Sequence, residues 1–125
     1  MQLTVMKNTY AICKLDHDSP IPPWVHASHG FASMTYTPDE LSIVCQEKYV
    51  PAGIKQERGW RILKIIGPLD FSLVGVISRI TGILANAGVS LFTVSTYETD
   101  FILVKKEALD QAIQALKDAG LDIID

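Results

Sequence analysis

From residue 61 to residue 124 the chain reads as strand, helix, strand, strand, helix, strand, and few folds accept that order. Arg61-Ile62-Leu63-Lys64-Ile65-Ile66 is a strand closed by the breaker pair Gly67-Pro68. Leu73, Val76, Ile77, Ile80, Ile83, Leu84 and Ala87 then recur at spacings of three and four, the apolar face of a helix. Ser72 is the expected N-cap of that helix and Gly88 its stop. Val89 to Thr96 alternates as a strand, Tyr97 to Asp100 makes the turn, and Phe101 to Lys105 returns. Leu109, Ala112, Ile113 and Leu116 mark a second helix, Gly120 ends it, and Leu121 to Ile124 is a short last strand. The pattern predicts an α+β, ferredoxin-like βαββαβ unit.

The first half repeats the pattern in reduced form. Tyr10-Ala11-Ile12-Cys13-Lys14-Leu15 parallels Trp60-Arg61-Ile62-Leu63-Lys64-Ile65 at an offset of 50. Asp39-Glu40-Leu41-Ser42-Ile43-Val44 parallels Thr99-Asp100-Phe101-Ile102-Leu103-Val104 at an offset of 60. The shortfall lies where the first helix should be, in Asp18-Ser19-Pro20-Ile21-Pro22-Pro23-Trp24-Val25-His26. Three prolines cannot continue a helix, so a loop with at most one turn is expected there. We therefore expect two ferredoxin-like halves, residues 1–59 and 60–125, the first with its first helix reduced.

Composition excludes several classes. The 125 residues carry 11 Lys+Arg against 14 Asp+Glu, so a generic nucleic-acid binder is not expected. Apolar runs are far shorter than a membrane span requires, and the first residues do not resemble an export signal, so a cytoplasmic protein is expected. Cys13 and Cys45 lack paired metal-ligand spacing and fall on strands expected to be neighbours, so a reduced, buried pair is predicted.

The predicted topology brings distant turns together. The loop after the first strand and the hairpin between strands two and three lie at one end of such a sheet. Residues 67–72 and 95–100 should therefore converge. Amides at the helix start near Val74 and Gly75 suit a carboxylate. Asp70, Glu98 and Asp100 suit an ammonium group. Together they fit a free α-amino acid; ordinary polar turn residues and a cap are the alternative.

Gly67 to Ile80, followed by Ala87-Gly88-Val89-Ser90, resembles the ACT domain, a small-molecule-sensing module. Gly75 matches the family's loop glycine, and Val74 stands where the family has proline. The run from Ser95 to Val104 resembles the branch that includes the animal cytosolic arginine sensors and bacterial tandem ACT proteins. Pro38 to Val44 and Glu57-Arg58-Gly59-Trp60 fit the same bacterial branch. The resemblance implies a non-enzymatic regulatory protein that binds a free amino acid where ACT units pack together. Carried over by position, the ligand contacts would be Leu69, Asp70, Phe71, Ser72 and Leu73 from the loop and Val89, Ser90 and Leu91 from strand two. Ser95, Thr96, Glu98 and Asp100 would come from the hairpin. The first half lacks the long first helix, so one competent site per chain is expected. A homodimer and a separate regulated protein are the implied partners. A protein-interaction module that has lost ligand binding is the alternative.

Other chemistries find little support in the sequence. His26-Ala27-Ser28-His29 with His17 and Cys13 suggests a metal site, but no second paired set accompanies it. No Gly-x-Ser-x-Gly elbow and no glycine-rich phosphate loop is present, so neither catalysis nor a cofactor is expected. Strand three lacks the Gly-aromatic pattern of RNA-recognition domains.

Overall fold

A computed structural model describes residues 2–27, 29–66 and 75–124. The chain forms two compact units. One comprises Met1–Lys7 with Arg61–Asp125, and the other comprises Asn8–Trp60. The linear expectation of 1–59 and 60–125 thus differs from the contact pattern at the N-terminus. The cause is β1 (Gln2–Val5), which pairs antiparallel with the end of β5 (Lys55–Ile65) and parallel with β8 (Asp122–Ile124). In the sequence, residues 8–60 thus fall between β1 and its antiparallel partner at residues 61–65.

In the 8–60 unit, β2 (Tyr10–Leu15) lies between β4 (Leu41–Gln46) and the first part of β5, and β3 (Ser33–Tyr36) pairs with the far side of β4. The order β5-β2-β4-β3 is that of a ferredoxin-like sheet. Both crossovers are single 3-10 turns. The proline-rich segment forms one over Pro23–His26, as expected, and seats Val25 in the core. The second covers only Glu47–Tyr49, after which Val50-Pro51 leads directly into a turn at Gly53. Reduction of the second helix in this half was not foreseen.

The Cys13 and Cys45 side chains are free thiols buried in this core, on adjoining strands where Cys13 opposes Ile43 and Cys45 opposes Ala11. A hydrogen bond between the two sulfurs and burial together hold Cys13 above the usual thiol range. The same hydrogen bond lowers Cys45. On β5 the register shifts opposite Ala11, where Gly59 takes a left-handed φ of 85°. Its N–H donates to Glu47 Oε1 at 3.0 Å, and Glu47 also pairs with Arg58. Only glycine adopts that backbone cheaply.

The other unit orders its strands β8-β1-β5-β7-β6, with β6 at Leu91–Ser95 and β7 at Asp100–Lys105. Helices α1 (Val76–Asn86) and α2 (Leu109–Asp118) share one core with a face of this sheet: Ile80, Leu84, Ala112 and Leu116 meet Leu3, Leu63, Ile65, Ile102 and Val104. These apolar positions follow the helical and strand periods read from the sequence. Helix α1 ends as expected, with Gly88 at φ 76°, and Gly120 at φ 93° follows α2. Its start differs. The first turn begins at Val76 after a left-handed Gly75, and Arg79 N–H donates to Gly75 O at 2.8 Å. The expected cap, Ser72, lies outside the described residues.

Candidate functional site

The β6–β7 hairpin is built on a local device. Ser95 opposes Asp100, and four residues turn the chain between them. Thr96 N–H donates to Thr99 O at 2.8 Å, and the Thr96 hydroxyl donates to the same oxygen at 3.2 Å while accepting from Thr99 N–H. Side-chain hydroxyls of this kind favour tight turns. The Ser95 hydroxyl donates to Asp100 Oδ1, and the buried Thr99 hydroxyl donates to Ile65 O. Thr99 therefore fixes the hairpin against the last residue of β5, one residue before Ile66 and the 67–74 segment. It was not among the candidates, because a turn threonine carries no sign of a tertiary partner.

The expected ligand contacts separate into three groups. Leu69, Asp70, Phe71, Ser72 and Leu73 lie outside the described residues. Val89 is packed in the core, Leu91 is half-buried against it, and Ser90 is exposed. Ser95, Thr96 and Glu98 are exposed on the hairpin, and Asp100 is half-buried. Lys64 Nζ lies 5.9 Å over the Phe101 ring beside it. Among the described residues, no group of three or more His, Cys, Asp or Glu side chains could hold a metal ion. No described helix is long and apolar enough to cross a membrane.

The first half carries the same hairpin. Thr37 N–H donates to Glu40 O at 3.0 Å, and the Thr37 hydroxyl donates to that oxygen while accepting from Asp39 and Glu40 N–H. Tyr36 opposes Leu41 as Ser95 opposes Asp100. The equivalence therefore runs at an offset of 59, one less than the sequence comparison suggested. Glu40 matches Thr99, and the counterpart of Asp100 is Leu41. Burial agrees: Leu41, Ile43 and Cys45 face one core, and Ile102 and Val104 face the other. Asp100 thus occupies a core-facing position at the end of its strand, where the sister unit has a leucine with 0% exposure.

A family model described as the ACT domain matches residues 55–118. The chain belongs to the ACT domain family. A second model, described as an N-terminal domain, matches residues 8–53. A crystal structure from Agobacterium tumefaciens is 32% identical, covers 98% of this chain and 91% of its own, and superposes with a TM-score of 0.92. The regulatory subunit of aspartate kinase from Thermus thermophilus shares the fold at 13% identity and a TM-score of 0.62, covering 94% of this chain and 97% of its own. The human cytosolic arginine sensor for mTORC1 subunit 1 is 36% identical over 59 residues, which is 46% of this chain. That match spans only 18% of the sensor's length. The ACT family membership and the partial match to a sensor support a small-molecule-sensing regulatory role, while the aspartate kinase subunit shares the fold alone.

Proposed function

We propose that this ACT protein is non-enzymatic and binds a free α-amino acid at the end of the sheet formed by Ile65 and the β6–β7 hairpin. The observation that carries the reading is Asp100, a half-buried carboxylate on a core-facing strand position, oriented by the Ser95 hydroxyl. A charge placed where packing calls for a hydrophobe marks a position under functional constraint. Its carboxylate would take the ligand's ammonium group through a charge-assisted hydrogen bond. The first N–H groups of α1, which no helical carbonyl can satisfy, would face the ligand's carboxylate. Residues 69–73 and Ser90 would complete the site. Among the described strands β6 pairs with β7 alone. Its open edge suits a neighbouring ACT unit of a second chain, so binding would shift the balance between arrangements and be read by a separate protein.

The test is a thermal-shift screen of the twenty amino acids. A ligand at 100 times its dissociation constant should stabilise the fold by about 2.7 kcal/mol. Asp100→Ala should then weaken binding of the identified amino acid by about 1.5–3 kcal/mol in calorimetric titration, tenfold or more. No shift with any amino acid would favour the interaction-module alternative.

A further inference from the structure

The helix-facing row of the 1–7/61–125 unit is apolar until its last step. Along β1 it runs Leu3, Val5, Lys7, and along β5 it runs Ile65, Leu63, Arg61, with Leu3 opposite Ile65 and Val5 opposite Leu63. The ladder continues through Met6 N–H to Ile62 O at 2.9 Å, so Lys7 and Arg61 extend the same face. Leu3, Leu63 and Ile65 are core. The next pair is cationic. With Leu109, Asp110 and Ile113 of α2, residues Val5, Lys7 and Arg61 line a pocket of about 350 Å³.

Three observations set this pocket apart from a solvated rim. Arg61 Nη2 donates to Met6 O at 3.1 Å, pinning the guanidinium to the sheet, while its buried Nε has no protein acceptor among the described residues. Buried donors are rarely left without a partner. Lys7 and Asp110 are exposed and, among the described residues, neither has an ion-pair partner, so both charges at the mouth are open to a ligand. Finally, Ala11, the counterpart of Arg61 in the 8–60 unit, is buried in that unit's core. The pocket thus lies where one unit carries a cation and the other a buried apolar residue.

We propose that this pocket is a second ligand site, for an α-amino acid with a branched aliphatic side chain. Arg61 and Lys7 face its carboxylate, Asp110 its ammonium group, and Val5, Leu109 and Ile113 its side chain. The volume is at the small end of ligand pockets, about 300–1,000 Å³, which suits a single amino acid. The site lies at the start of the 61–65 segment, whereas Asp100 lies beyond its end, and the proposal does not depend on the Asp100 reading.

Methyl NMR of the full chain titrated with leucine tests it. Saturable shifts of the Ile113, Leu109 and Val5 methyls are expected at ligand up to about 10 mM, enough to fill a site of about 1 mM affinity. Asp110→Asn should weaken leucine about tenfold yet leave 4-methyl-2-oxopentanoate, which lacks the amine, unchanged. Lys7→Gln should weaken both. Asp100→Ala should leave all three methyl responses in place. Unmoved methyls would overturn the proposal, as would equal leucine binding by Asp110→Asn and the parent. Loss of the response in Asp100→Ala would also overturn it, by assigning the leucine effect to the other end of the sheet.

Discussion

The two units fold the same ladder of strands around the same threonine-closed hairpin, and they differ in what stands at the ends of their core rows. The 8–60 unit has Ala11 and Leu41 there, both fully buried. The other has Arg61 and Asp100 at the matching places. Both units enter their second crossover through a 3-10 turn, Glu47–Tyr49 in one and Lys106–Ala108 in the other. One then meets Pro51 and returns to the sheet within a few residues; the other continues into α2. A sheet that keeps both helices has enough core to carry charges at its margins. A sheet covered by two single turns does not, and it closes every position with an apolar side chain. The contrast is the reason both proposed sites fall on one unit.

The sharpest way to break this contrast is to move the charge. Leu41→Asp should destabilise the fold by at least the 2–5 kcal/mol of a buried Leu→Ala change, since a carboxylate without a partner is added to the lost packing. Urea denaturation would measure it, and a loss under 1 kcal/mol would mean the hairpins are not equivalent. The reverse exchange, Asp100→Leu, should abolish the amino-acid response by tenfold or more while the unfolding midpoint holds or rises, a trade common at functional sites.

The thiol pair sharpens the comparison differently, because Cys13 and Cys45 take the places of Leu63 and Val104. The folded state keeps the Cys13 proton through a pH range in which the unfolded thiol, near pH 8.5, releases it. The native state then binds more protons, so stability falls as pH rises past about 8.5, by at most about 1.4 kcal/mol per pH unit. The lowered Cys45 acts in the opposite sense and below that range, adding stability as pH rises toward about 8.5. Cys13→Ala should flatten the fall in urea titrations at pH 7.5 to 10. The smallest effect is expected of Glu40→Ala. Its position matches Thr99 rather than Asp100, so ligand binding should be unchanged and stability should move by less than about 0.5 kcal/mol.

Most of the 61–124 fold was legible because its periods are strong: alternating strands, two amphipathic helices, and glycines where each helix stops. The Pro20-Ile21-Pro22-Pro23 run announced the missing helix in the same way. What escaped detection was non-local. Gln2 to Val5 is four residues long, and its partners lie about 60 and 120 positions away, so nothing local identifies it as a strand of the later unit. The hairpins align at an offset of 59 and not the 60 that the sequence suggests, because alternating strands resemble each other and a one-residue slip exchanges their faces. Of the candidate site, Ser95 with Asp100 was readable as a motif. The Thr99 bond to Ile65 was not, because it joins residues 34 positions apart.

That residues 8–60 separate β1 from its partners along the sequence bears on how the chain is made. Emerging from the ribosome, Gln2 to Val5 must wait while residues 8–60 are synthesised before β5 offers them a first partner, and longer still for β8. During that interval a short β-rich segment has an unmet edge, a state prone to mispairing. Residues 8–60 have all their own strand partners in hand earlier. Cotranslational folding would then run from the inside outward, with the 1–7/61–125 unit closing last.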